Sequence, residues 1–158
     1  MWKAVAVSVA LLLCTLSSHA QSQLSDTDLR ASYCAGFAIA VLNDTPTKLF
    51  DCSDDAPEWC KAINDGQRQL YEGWSASRQR LQRYLMTRQS SVPGFANQAL
   101  PAVRAGQSDA ALLKKLFSQL TAPCEDDLTC MKQKLDDQRY KGLKQNSDMC
   151  LNPNWTPF

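Results

Sequence analysis

Apolar side chains recur along this chain at helical spacing, and no long stretch alternates apolar with polar. Ser25 opens a Ser-x-x-Asp start with Asp28 in the first turn, the form of a capping box. The first helix is predicted to reach about Asn43, burying Tyr33, Cys34, Phe37, Ala38, Val41 and Leu42, and to end before Pro46. Pro57 then stands where a first-turn proline belongs, behind Asp54 and Asp55 as caps. A long helix is predicted from there to about Arg88. Its stripe is Trp59, Ile63, Leu70, Trp74, Leu81 and Leu85, at steps of 4, 7, 4, 7 and 4 residues. Lys61, Asp65, Arg68, Glu72, Gln79 and Arg83 fill the opposite arc. Gly66 and Gly73 each weaken a helix by roughly 1 kcal/mol relative to alanine, and their shared flank is expected to admit a neighbouring helix.

Beyond a turn at Ser90–Pro93, a short helix over Gly94–Gly106 is expected to be interrupted at Pro101. Ser108 is expected to cap the next helix, with Leu112, Leu113, Leu116, Phe117 and Leu120 inward and Pro123 closing it. A last helix is predicted from Glu125 to about Gln145, with Leu128, Met131, Leu135 and Leu143 facing in. The tail CLNPNWTPF comes after it, extended and tied by Cys150. The predicted fold is all-α: a disulfide-stapled bundle of four to five helices with one long central helix, formed by residues 21–158 as a single domain.

The first twenty residues have a different pattern. Lys3 precedes the apolar run Ala4–Leu16, and Ser18-His19-Ala20 has the small-x-small form of a signal-peptide cleavage site. The run is shorter than the roughly 20 residues of a membrane span. Leu11-Leu12-Leu13 before Cys14 lacks the small residue that lipoprotein processing wants. Cleavage near Ala20 is therefore expected, with residence in the periplasm or outside the cell and no transmembrane segment. Losing Lys3 takes the basic count from 17 to 16, equal to the 16 acidic residues. A neutral chain has no global field for nucleic acid or membrane. Losing Cys14 leaves six cysteines, an even number that in an exported chain reads as three bridges. The expected pairing is Cys52–Cys60, Cys124–Cys130 and Cys34–Cys150.

Two segments, DCSDDAPEWC and PCEDDLTC, share Cys-x-Asp-Asp and close on a second cysteine. Structural zinc wants four cysteine or histidine ligands at closer spacings, and His19, the one histidine, leaves with the leader. Calcium loops alternate oxygen ligands around a central glycine that is missing here. Redox dithiols use Cys-x-x-Cys, also missing. What fits every residue is a helix start used twice: Asp54, Asp55, Asp126 and Asp127 accept orphan amide bonds, and the cysteines pin the ends. No metal and no cofactor is expected.

A chain without histidine cannot build a Ser-His-Asp or Cys-His nucleophile. Carboxylate chemistry remains, but Glu58, Glu72 and Glu125 all fall at ordinary solvated positions. The expectation is accordingly a non-enzymatic protein with no catalytic residues. Arg80, Arg83 and Tyr84, near the end of the long helix, are the candidate partner-binding patch, since arginine and tyrosine are enriched at interface hot spots. The competing reading is a solvated helix end whose positive charge suits the dipole.

Cysteine spacing excludes insect odorant-binding proteins: Cys52 and Cys60 enclose seven residues, Cys130 and Cys150 nineteen. LRASYCAGFAIAVLN, RQRLQRYL and CLNPNWTPF resemble a loose set of small exported six-cysteine proteobacterial proteins. The likeness implies a bacterial periplasmic location and no particular activity. The functional expectation is an exported binding protein that recognises another envelope or secreted protein, as an inhibitor or immunity protein does. The alternatives are a carboxylate-dependent hydrolase of envelope glycans and a small-ligand carrier with an apolar cavity between helices.

Overall fold

The computed structural model describes residues 24–44, 58–125 and 127–155, the side chain of Trp59 excepted. The expected leader, Cys52, Asp54, Asp55, Pro57, Asp126 and Phe158 lie outside them. The described residues form α1 (Asp26–Asp44), α2 (Glu58–Ser91), α3 (Phe95–Thr121), α4 (Leu128–Lys134) and α5 (Gln138–Leu151), with a 3₁₀ turn at Ala122–Cys124. The protein is an all-α, disulfide-stapled bundle, and α2, at 34 residues, is its long helix.

Helix α1 starts on the predicted capping box. The Ser25 amide donates to Asp28 Oδ2 at 3.0 Å, and the Asp28 amide donates to Ser25 Oγ at 3.1 Å. The middle of α1 is then so small-sided that α3 packs backbone to backbone against it. A Cβ on Gly36 would overlap the Val103 carbonyl, whose carbon would lie 2.8 Å away. A Cβ on Gly106 would overlap the Tyr33 carbonyl oxygen and lie 2.9 Å from the Phe37 nitrogen. Helix α2 lies antiparallel on another side of α1, since Phe37 stacks on Trp74 (centroids 5.3 Å apart) while Asp28 meets Tyr84 and Arg88. Helix α5 closes the bundle. Cys34–Cys150 joins it to α1, and Ser77 Oγ donates to the Cys150 carbonyl at 2.7 Å, joining it to α2. Trp155, just beyond α5, packs back against the core.

Several boundaries differ from the sequence reading. Helix α3 runs unbroken through Pro101 and Ser108, and Gly106 is a contact point rather than a stop. Pro101 is exposed in the second turn, while Ala99, Gly106 and Ala110 are buried, so packing outweighs the local penalty. The predicted last helix is two helices. Asp137 caps α5 by accepting from the Tyr140 amide at 3.0 Å, which restarts the chain after Leu135–Asp136. Asp127 does cap α4 as expected, accepting from the Thr129 and Cys130 amides at 2.8 and 3.1 Å. On α2 the buried stripe is Cys60, Asn64, Trp74, Ser77, Leu81 and Tyr84, whereas Ile63 and Leu70 are 42% and 48% exposed. The Gly66–Gly73 flank admits no close helix backbone: nothing lies within 4 Å of a Gly66 Cβ, and a Gly73 Cβ meets the Leu151 side chain at an ordinary 3.6 Å.

Cys34–Cys150 spans 116 positions and Cys124–Cys130 spans 6. By loop-closure entropy the first restrains the unfolded chain by about 5 kcal/mol and the second by about 2 kcal/mol. Cys60 is also disulfide-bonded. These bridges suit the oxidising compartment expected of an exported chain.

The glycine contacts predict an ordering among conservative substitutions. Gly36→Ala or Gly106→Ala forces a methyl group into backbone and should cost about 3 kcal/mol or prevent folding. Gly66→Ala meets open space and should stabilise the helix by up to about 1 kcal/mol. Urea unfolding of the three variants checks this; equal effects at Gly36 and Gly66 would refute the close crossing.

Candidate functional site

Two constellations stand out in the bundle, one at each end. The first is polar. Asp28 is fully buried beneath α2. Arg88 grips it with both prongs, Nε to Oδ1 at 2.7 Å and Nη2 to Oδ2 at 2.9 Å. Tyr84 donates its hydroxyl to Oδ1 at 2.8 Å, and Ser25 donates its hydroxyl to Oδ2 at 2.8 Å. Arg88, then the Ser25 and Tyr84 hydrogen bonds, hold the Asp28 carboxyl well below the usual carboxylate range, against the opposing effect of burial. Burial, then the neighbouring carboxylate, pushes the Tyr84 phenol up. Both carboxylate oxygens are engaged and the group stays ionised, so it has neither a proton to give nor a lone pair facing solvent. It is a clamp between α1 and α2, not a reaction centre.

The clamp changes the expected partner patch. Tyr84 is 7% exposed and turned into the clamp. Arg80 is half-buried and points a guanidinium nitrogen at the Asn152 carbonyl, 3.4 Å away. Arg83 is exposed. The three do not form one surface. The helical phase already placed Tyr84 on the line of Trp74, Ser77 and Leu81.

The second constellation is an apolar groove of about 540 Å³ between α1, α2, α3 and α5. Its floor is the Phe37–Trp74 stack with Ala110. Ala40, Val41 and Leu113 form the sides. Leu70 and Phe117 stand at its edge, 48% and 47% exposed, and Tyr140 faces the Phe117 ring at 6.3 Å. Polar groups are few. Lys114 Nζ lies 3.4 Å from Asp44 Oδ2, and Lys144 is paired with Asp148 one turn along α5. Gln67 also lines the groove, and its buried Oε1 has no partner among the described residues. The volume and the ratio of apolar wall to polar points are those of a small-molecule site.

Among the described residues the groove holds no pair of carboxylates. Asp44 is its one carboxylate among the described residues, and Glu58, Glu72 and Glu125 are exposed elsewhere. Among the described residues no three cysteine, aspartate or glutamate side chains converge on a possible metal position, and no helix is long and apolar enough to cross a membrane. Of the seven cysteines, Cys34, Cys150, Cys124, Cys130 and Cys60 are bonded, and Cys14 and Cys52 lie outside the described residues. Comparison with known protein families, curated proteins and solved structures finds no match to this chain.

The clamp makes stability depend on acid. A carboxyl whose folded pKa is depressed contributes stability that is fully present above its unfolded value and lost as pH falls. Wild-type stability should therefore decline from about pH 4 downward. Asp28→Ala should cost about 3 kcal/mol at pH 7 and flatten that decline. Urea titrations at pH 7 and pH 3 measure both; an Asp28→Ala protein as stable as wild type at pH 7 would remove the clamp from the account.

Proposed function

We propose that this is a non-enzymatic exported binding protein and that the groove between α1, α2, α3 and α5 is where it binds. One observation carries the reading: Leu70 and Phe117 remain half-exposed at the edge of a cleft floored by two stacked aromatic rings. Apolar side chains are ordinarily exposed singly. Here they line a concavity, where burying them against a guest is worth about 25 cal/mol per Å². The small-ligand carrier reading gains most from this geometry. Recognition of another envelope protein would use the same groove, by seating an apolar side chain of that protein, rather than the dispersed Arg80, Arg83 and Tyr84. The glycan-hydrolase alternative would need two carboxylates about 5–9.5 Å apart in a cleft, and the groove offers Asp44 alone among its described residues. Removal of a leader at Ala20 and residence in the periplasm belong to this reading, supported by the leader-like first twenty residues and the disulfides.

A neutral dye that fluoresces in apolar surroundings, N-phenyl-1-naphthylamine, should bind saturably at one per chain. Leu70→Gln combined with Phe117→Gln should weaken it about tenfold, with little change in melting temperature because both side chains are half in water. Absence of saturable dye uptake by the folded, oxidised protein would refute the groove as a binding site.

A further inference from the structure

The groove carries charged groups that its apolar walls alone do not explain. Lys114 on α3 and Lys144 on α5 both line it, against the single carboxylate Asp44. The chain carries no net charge to account for this once the leader residues are set aside. Each lysine has an exposed carboxylate neighbour. The Lys114–Asp44 pair is long, at 3.4 Å, with side chains 65% and 55% exposed. The Lys144–Asp148 side chains are 49% and 55% exposed, and Asp148 does not line the groove. Exposed pairs of this kind contribute little and exchange readily. An anion anchored by an apolar body in the groove meets both ammonium groups where apolar walls displace water and strengthen attraction. Gln67 also lines the groove, but its Oε1 is buried from solvent, so the lysines are what select charge.

We propose that the groove takes a single-chain aliphatic carboxylate, its chain over Phe37 and Trp74 and its carboxylate at Lys114 and Lys144. The inference rests on the groove being the binding site and adds the chemical class of the guest. A volume of about 540 Å³ holds one chain of drug-like size and not a two-chain lipid. The flat, stacked floor suits methylene groups, and each methylene added to the guest should tighten binding about fourfold until the groove is full.

Calorimetry with the full oxidised chain, using dodecanoate, dodecanol and dodecylamine below their aggregation concentrations, tests the class. Dodecanoate should bind about fivefold tighter than dodecanol, with dodecylamine weakest, and the preference should shrink as salt is raised. Lys114→Gln with Lys144→Gln should bind acid and alcohol alike. Both lysines are exposed, so a melting curve that matches wild type shows the variant folded; if it does not match, the salt dependence of the wild-type preference decides alone. Equal binding of acid and alcohol overturns this inference and leaves the groove as an apolar site. Uptake of the neutral dye without uptake of any of the three chains also overturns it alone. Failure of both dye and chains overturns the groove reading as well. A dimer that excludes dye and chains would assign the groove to a second copy of the protein and overturn the carboxylate guest.

Discussion

The bundle depends on the crossing of α1 and α3 at Gly36 and Gly106. Two helices packed through ordinary side chains keep their axes about 8–10 Å apart. Here a single methyl group on either glycine would run into the backbone of the other helix. The close approach puts many weak dispersion contacts between the two helices, and it leaves Tyr33 beside α3, where its hydroxyl donates to Asp109 at 2.8 Å. Burial, then Asp109, pushes the Tyr33 phenol up, so it remains a donor throughout the ordinary pH range. With α3 seated, the rest of α1 is committed to α2 and α5.

The remaining ties of α1 go to α2 and α5. The Asp28 clamp fixes α2 at the N-terminal end of α1, and the Cys34–Cys150 bridge with the Ser77 hydrogen bond fixes α5 at its middle. Toward Asp44 the exposed Lys114–Asp44 pair joins α1 to α3. Ala40 and Ala110 remain small there, so Phe37 and Trp74 are left as a floor and Leu70 and Phe117 as edges. The groove thus lies beside the crossing, with Phe37 next to Gly36 and Ala110 one turn beyond Gly106.

Much of this was legible along the chain, and the failures share one cause. The Ser25–Asp28 box, the Asp127 cap, the helical content and the inward Trp74 and Leu81 are signals complete within a few residues. Gly66 and Gly106 look alike at that range: each is an isolated glycine in a helical pattern, and only the tertiary neighbour tells the exposed one from the contact. Asp28 was readable as a cap, but its ion pair lies 60 positions away at Arg88. On α2 the apolar residues Ile63 and Leu70 suggested one phase, while the true buried line runs through Asn64 and Ser77, whose polarity hid it. Tyr84 belongs to that line, which is why it is buried against Asp28 rather than exposed.

Leu70 connects that misreading to function. The sequence pattern placed Leu70 in the core because it is apolar and in register with Trp74. The register is right: both side chains line the same groove. What the pattern cannot carry is whether the space opposite is filled, because that depends on Ala40 and Ala110 from helices far away in sequence. Trp74 finds Phe37 there and is buried; Leu70, one turn nearer the start of α2, lies at the groove's edge and stays half in water. A core-like stripe that ends in exposed leucine, opposite an exposed phenylalanine and flanked by two lysines, is the pattern on which the proposed binding cleft rests.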